Sequence, residues 1–381
     1  MKKLFFVFII SLIILTPIKS YGARASIALG ENSKASILIE ANTNAVIFAN
    51  NENKRMPIAS MTKIMLLNLC FEAVDGNELS LDEEITVSKT ASGMGGSQVF
   101  LEANCKYLAK DLIKSIIIAS ANDASVAMAE RLFSSEADCV QAMNDKCREW
   151  GLNDTLFSNC TGLPKPTQYS SAYDVAIMLS KLIRHKQYFE YSSIWMDEIS
   201  HGKDRVTGLT NTNKLVRFYE GCDGGKTGFT QESGFCLAAT AKRGGLRLIS
   251  VVINASDSKG RFADVSNMFD YGFENFTNKM VVDSSKPLDV TVKIEKSKKS
   301  SINVAPKENV FIFCERTNKD KITIDFEPYE IKAPISCGDV VGKLKVFKNS
   351  VEFKSVDVIS LEDVLEKTYF DYIKDIGKSW L

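Results

Sequence analysis

Residues 60–74 constrain the fold more than any other stretch. Ile64, Met65, Leu66, Leu67, Leu69, Cys70 and Phe71 leave almost no polar side, and a helix that is apolar nearly all round has to run through the interior of a core. The chain can build such a core. Its 381 residues, 45% of them hydrophobic, suit one large domain plus a smaller one and are too apolar for a disordered chain. The 47 basic and 47 acidic residues cancel, which argues against a nucleic-acid binder with a broad basic footprint.

Around this helix the pattern is mixed. Residues 25–49 alternate and turn at Asn42-Thr43-Asn44, as in a β-hairpin. Residues 111–119 and 124–133 carry helical spacing. Residues 235–243 and 246–253 flank Gly244-Gly245, a strong hairpin signal. Strands at both ends with helices between them predict an α+β domain whose antiparallel sheet joins its termini, with helices on both faces. Composition changes after a helix ending near Phe276. Residues 281–360 read as a small all-β domain, with strands expected at 288–294, 310–314, 322–326 and 341–347. Over residues 361–381, Leu361, Val364, Leu365, Tyr369, Tyr372, Ile373, Ile376 and Trp380 recur at three- and four-residue steps. That spacing makes an amphipathic helix, either laid on a membrane or packed on the β domain.

The N-terminus reads as a secretory leader. Lys2 and Lys3 precede an apolar run over residues 4–15 broken only by Ser11, and small residues follow to Ala25. Cleavage after Gly22 or Ala25 would put a mature chain from about residue 26 outside the cytoplasm, with the large domain over 26–277. The nine cysteines are odd in number, contain no Cys-x-x-Cys, and have only His185 and His201 to assist them. No metal or other cofactor is expected; most of these thiols should be small buried hydrophobes.

Chemistry centres on Ser60-Met61-Thr62-Lys63. Residues three apart on a helix share a face, so an amine can lie beside a hydroxyl. Lysine becomes a base for that hydroxyl only when burial or a second cation lowers its pKa. The motif alone is weak, since Ser200 and Lys203, and Ser256 and Lys259, share the spacing. Ser120-Ala121-Asn122 lies where one helix ends and the next begins. Its hydroxyl and amide can enter a cleft, or can simply cap a helix. Lys226-Thr227-Gly228 suits an edge strand lining that cleft, with Gly228 admitting a ligand to the backbone and Lys226 adding the second cation that would lower the pKa of Lys63 and attract an anionic substrate. A solvent-facing lysine beside a glycine turn fits the tripeptide equally.

The three motifs in this order are those of penicillin-binding proteins and class A β-lactamases. With Pro57-Ile58-Ala59-Ser60-Met61-Thr62-Lys63, Asn211-Thr212-Asn213-Lys214, the Gly-Gly hairpin and the trailing β domain, the chain resembles the serine D-alanyl-D-alanine carboxypeptidases, the low-molecular-mass penicillin-binding proteins of the peptidase S11 family. The resemblance implies that Ser60 attacks the penultimate D-Ala carbonyl of a peptidoglycan pentapeptide stem and that Lys63 takes its proton. Ser120 and Lys226 would serve the departing D-Ala, and Asn122 would hold the peptide. The amides of Ser60 and Phe229 would form the oxyanion hole, with Thr227, Gly228 and Arg261 around the substrate carboxylate. It further implies acylation by β-lactams and peripheral attachment to the outer face of the cytoplasmic membrane through the last helix.

Gln168 stands where relatives often carry His and reads as structural. The glycine-rich residues 93–97 suggest a mobile loop near the site. Two rivals remain: a β-lactamase using Glu149 for deacylation, and an inactive peptidoglycan-binding homologue. A Ser-His-Asp hydrolase is disfavoured, because there is no Gly-x-Ser-x-Gly and neither histidine has a motif context.

Overall fold

The computed structural model describes residues 28–202 and 205–379. The leader-like residues 1–25 and Trp380 lie outside these. Five strands form the central antiparallel sheet: β1 (Ala35–Glu40), β2 (Val46–Asn50), β3 (Cys222–Thr230), β4 (Gly234–Arg243) and β5 (Leu246–Ala255), in the order β2-β1-β5-β4-β3. β1 pairs with β5 from Ala35 opposite Ile253 to Glu40 opposite Leu248, so the two ends of the domain meet inside one sheet. β3 is left as an edge.

β1 is buried at every position, the signature of a strand covered on both faces. Ile37 and Ile39 join the larger core with Ile249 and Val251. That face carries α1 (Lys63–Asp75), α2 (Ala109–Ala119), α3 (Asn122–Phe133), α4 (Glu136–Trp150) and α5 (Ala172–Leu182). Leu38 points the other way, into a second cluster with Leu248, Val252 and Val265, Met268 and Phe269 of α6 (Ser258–Asn275). Every residue of α1 from Lys63 to Phe71 is buried, as its lack of a polar side requires. Its one amide, Asn68, donates to the carbonyls of Ile64 and Met178.

The chain leaves α6 directly into a strand, Phe276–Val282, that pairs with Val310–Glu315. Thr277, Asn278 and Lys279 conceal this strand in the sequence. Ile322–Pro328, Val340–Lys348 and Val351–Ser360 continue the C-terminal β unit around Leu344, Val346 and Val358. The strand expected at 288–294 spans Val292–Glu295 instead, because Pro287 and Asp289 oppose strand pairing before it.

The last helix is Tyr369–Ser379 and does not begin at 361. Val364 is buried and exchanges backbone hydrogen bonds with Ile335 at 2.8 and 3.0 Å, which ties the preceding residues to the β unit. Beyond that tie, Tyr369, Phe370, Tyr372 and Ile373 are exposed. No helix among the described residues is long and apolar enough to cross a membrane. All nine cysteines are free, and six are buried.

Candidate active site

Ser60 sits on a single 3-10 turn, Ala59–Thr62, that runs into α1. In this tighter helix residues i and i+3 eclipse one another, and Lys63 Nζ donates to Ser60 Oγ at 3.0 Å. The chain enters the turn through Ala59 at φ +46°, a left-handed conformation uncommon for a residue with a Cβ. Two glycine backbones hold the turn in place. A Cβ on Gly162 would come within 2.1 Å of the Ala59 carbonyl oxygen, and one on Gly228 within 2.6 Å of the Ile58 oxygen. The β3 edge therefore packs directly on the serine turn.

Lys63 is wholly buried and has two further partners, Asn122 Oδ1 at 2.7 Å and the Thr161 carbonyl at 2.5 Å. Burial pushes its pKa down to about 7, against the opposing pull of Cys160 and Asp123. The neutral amine keeps two N–H donors, enough for Asn122 and Thr161, and its lone pair then faces Ser60. In that state the Ser60 hydroxyl becomes the donor, as a nucleophile awaiting deprotonation should be.

Ser120 ends α2 at φ +63°. Its hydroxyl is buried and makes no hydrogen bond among the described residues. Asn122 opens α3, and its Nδ2 donates to the Gly95 carbonyl at 2.7 Å while Oδ1 receives Lys63. Neither side chain caps a helix. The backbone amide of Asn122 donates to Ser97 O at 2.7 Å, and the Asp123 carboxylate accepts from the amides of Val99 and Leu101, each at 3.1 Å. The glycine-rich residues 93–97 are thus tied at two points to the Ser120–Asn122 turn.

Lys226, on β3, is buried to 1% exposure, and its Nζ donates to Thr227 O at 3.2 Å. Burial holds its pKa well below the ordinary lysine value, and the charges of Lys63 and Arg261 lower it further. The sequence suggests a standing second cation here. The structure instead gives two enclosed amines that cannot both hold a proton cheaply. Thr227 and Gly228 are buried beside it; Phe229 is exposed and packs its ring, tilted by 31°, against Phe235 at 4.4 Å between centroids. Arg261, from α6, donates to the carbonyls of Gly228 and Cys236 at 3.2 and 3.3 Å. Its Nε is buried without a partner among the described residues. All nine candidate residues thus lie on the serine turn, the Ser120–Asn122 turn, the β3 edge or the side chain that abuts it.

Two contributors, Thr161 and Asn159, escape sequence reasoning, and a third, Gln168, is read there only as structural. Thr161 enters through its carbonyl, and Asn159 and Gln168 fix that carbonyl. Asn159 Oδ1 accepts from the amides of Gly162 and Thr161 at 2.7 and 3.2 Å. Gln168 Oε1 accepts from the amides of Ser158 and Asn159 at 2.9 and 3.0 Å, and its Nε2 reaches Asn159 Oδ1 and Thr62 Oγ1. In the sequence, Gly162 and the structural reading of Gln168 are what hint at this segment. Glu149, by contrast, pairs with Lys146, which also holds Glu72 near the far end of α1. Twelve residues separate Glu72 from Ser60, roughly 18 Å along a helix. His185 bonds Asp75, and His201 bonds Tyr107 and Thr207, so both imidazoles are engaged elsewhere.

An antiparallel sheet between helical layers, with a serine and a buried lysine under its edge strand, defines a serine hydrolase of the penicillin-binding class. Residues 23–257 match the family described as D-alanyl-D-alanine carboxypeptidase, peptidase S11, and residues 276–366 match the C-terminal domain of penicillin-binding protein 5. The chain belongs to the D-alanyl-D-alanine carboxypeptidase family, as a low-molecular-mass penicillin-binding protein. It is 36% identical to D-alanyl-D-alanine carboxypeptidase DacF of Bacillus subtilis (strain 168) over 388 residues, covering 100% of this chain and 99% of that one. The crystal structure of a peptidoglycan synthesis regulatory factor (PBP3) from Streptococcus pneumoniae superposes with a TM-score of 0.73 at 26% identity, over 88% of this chain and 100% of that one. Penicillin-binding protein D2 from Listeria monocytogenes, in its ampicillin-bound form, does so at 0.54 with 32% identity, over 64% and 98%.

Proposed function

We propose that this protein removes the terminal D-Ala from peptidoglycan pentapeptide stems through an acyl-enzyme on Ser60. The observation that carries the reading is the 3.0 Å contact between Ser60 Oγ and a fully enclosed Lys63 amine whose pKa lies near 7. A substrate carboxylate arriving beside Lys226, Thr227 and Arg261 favours the charged form of Lys226 and, through it, the neutral form of Lys63. Substrate binding therefore prepares the base. Ser60 Oγ then attacks the penultimate D-Ala carbonyl as its proton passes to Lys63, and the oxyanion forms between the amides of Ser60 and Phe229. A missing donor of this kind typically costs about 100- to 1,000-fold. The C–N bond breaks as the leaving amine takes a proton relayed by Ser120 and Lys226, and Asn122 holds the acyl peptide. Water, deprotonated by Lys63, hydrolyses the ester.

β-Lactams would acylate the same serine, a reading supported by the ampicillin-bound relative. The β-lactamase alternative loses its deacylating residue, since Glu149 is paired with Lys146 and lies beside Glu72, away from Ser60. An inactive peptidoglycan-binding homologue is disfavoured by the intact Ser60, Lys63 and Lys226. Ser60→Ala should lower D-Ala release from a pentapeptide by about 10,000-fold or more with an unchanged melting temperature. Comparable release by the variant would refute the assignment.

The leader and the last helix support export and peripheral attachment to the outer face of the membrane. Deleting 369–381, which spares the Val364 tie to the β unit, should move the protein from the membrane fraction to the soluble one. Unchanged sedimentation would count against the anchor.

A further inference from the structure

The loop over Asn122 does not hold itself. Gly93, Gly95, Gly96 and Ser97 are exposed, and what fixes them is the stretch that follows. Val99 and Leu101 turn their amides to the Asp123 carboxylate because Phe100 between them stands at φ +63°, a left-handed residue that brings neighbouring N–H groups to one side. The Phe100 ring is itself 55% exposed and secures nothing by burial. Its carbonyl accepts from Arg205 Nη2 at 2.5 Å, and Arg205 Nε pairs with Glu102 at 3.0 Å. The Glu102 amide donates to the Tyr107 hydroxyl at 3.1 Å, that hydroxyl lies 2.9 Å from His201 Nδ1, and His201 Nε2 lies 2.8 Å from Thr207 Oγ1. Arg205 and His201 both belong to the turn of a hairpin, Met196–Ser200 with Val206–Thr210, where the His201 amide donates to the Arg205 carbonyl at 2.9 Å. The base of that hairpin is tied to α2, by Lys114 with Asp197 at 2.9 Å and by the Thr212 amide on the Ile118 carbonyl at 3.1 Å. A firmly based turn therefore clasps the loop.

The proton positions in this clasp follow from its contacts. The Tyr107 hydroxyl accepts the Glu102 amide and has no acceptor for its own proton among the described residues except His201 Nδ1. Nδ1 is therefore the bare nitrogen, and Nε2 carries the ring proton and donates to Thr207 Oγ1. Both contacts stand only while the imidazole is neutral. Burial and the Arg205 charge hold its pKa below the ordinary histidine value, against the pull of Glu102 and Asp123; with Tyr107 these are the titratable groups around it. His201 makes no hydrogen bond to any of the nine candidate residues. We infer that His201 is a positioning residue for the reaction proposed above: through Tyr107 it fixes residues 99–102, and through them the Gly95 and Ser97 carbonyls that hold Asn122 against Lys63. The inference rests on that catalytic reading. A proton on Nδ1 sets two donors against each other at the Tyr107 hydroxyl, and the clasp loosens.

Three variants test this: Tyr107→Phe, His201→Leu, and His201→Asn, whose amide oxygen can replace Nδ1 as the acceptor. Near neutral pH, Tyr107→Phe and His201→Leu should each lower kcat for D-Ala release from a pentapeptide about tenfold with KM little changed, and His201→Asn should recover most of the loss. The double variant Tyr107→Phe/His201→Leu should lose no more than either single one, because both act through one hydrogen bond. The amides of Val99 and Leu101 should exchange with deuterium about fivefold faster in the impaired variants, given that one lost bond. As the pH falls and His201 of wild type takes up a proton, the ratio of wild-type to variant kcat should shrink toward one; Lys63 titrates in both, so the ratio removes its contribution. Near-wild-type kcat in both Tyr107→Phe and His201→Leu would overturn the inference while leaving the catalytic reading intact. A loss that keeps the same ratio at every pH marks a merely structural role and would overturn it too. A wild type that releases no D-Ala would bring down the catalytic reading and the inference together.

Discussion

Between residues 28 and 275 the interior encloses Glu40, Lys63, Asp123, Asp174, His201, Lys226 and Asp264; between 276 and 376 it encloses no Asp, Glu, His or Lys among the described residues. The enclosed groups of the first region themselves fall into two kinds. Glu40 accepts from Asn42 and Thr43, Asp123 from Val99 and Leu101, and Asp264 from Asn32 and Ser33. These carboxylates pin turns and are satisfied. Lys226 has one acceptor, Ser120 Oγ none, and Lys63 reaches its third only through the hydroxyl it would deprotonate. A buried polar group left short of partners costs stability, and such groups gather where chemistry is done. The C-terminal unit, with nothing of the kind, is built from alternation alone.

Exchanging the two kinds of interior tests this contrast. The largest effect is expected from Lys63→Met, which should cut D-Ala release by about 1,000-fold or more without lowering the melting temperature. Wild-type kcat/KM should rise as pH climbs through about 7, where Lys63 loses its proton. The stability signature has a definite sign. Between about pH 7 and the unfolded value near 10.4, the unfolded chain binds more protons at this lysine, so folding gains stability as pH rises. The variant should therefore be the more stable at pH 7, and the gap should close toward pH 10. A wild type that outlasts the variant at pH 7 would contradict the contrast.

Leu344→Ala should do the opposite. It removes a core side chain of the C-terminal unit and should destabilise that unit by about 2–5 kcal/mol, seen in thermal unfolding, while D-Ala release from a soluble peptide stays within about twofold. The smallest effect is expected from Gln168→Ala. Loosening the Thr161 carbonyl should lower kcat about tenfold and displace the pH midpoint, with KM little changed. A merely structural role would lower the melting temperature and leave the midpoint alone.

What the sequence made legible follows the same division. Ser60, Lys63, Ser120, Asn122 and Lys226 have chemistry written in their side chains, and spacing relates them. The enclosed α1 and the Gly-Gly hairpin were readable because their patterns are strong. Thr161 was not, since a backbone carbonyl has no residue type, and Gln168 and Asn159 act only through it. Lys226 was read as a cation because its burial depends on the packing of β3 against the serine turn, a contact 166 residues away in the chain. The strand at 276–282 was hidden by its polar residues. The last helix was read eight residues too long because Leu361, Val364 and Leu365 keep helical spacing while Val364 is bound to Ile335.

The serine turn lies between Gly162 and Gly228, with main chain on both sides and no room for a methyl group. Neither glycine can therefore be substituted without moving the turn, since any side chain at either position would dislodge Ser60 itself. If Ser60 is the residue that β-lactams acylate, a variant escaping such a drug while keeping its cell-wall task has to change the rim, at residues 93–97, 163–165 or 229–232. Inhibitor design gains most from contacts aimed at the invariant geometry beneath that rim.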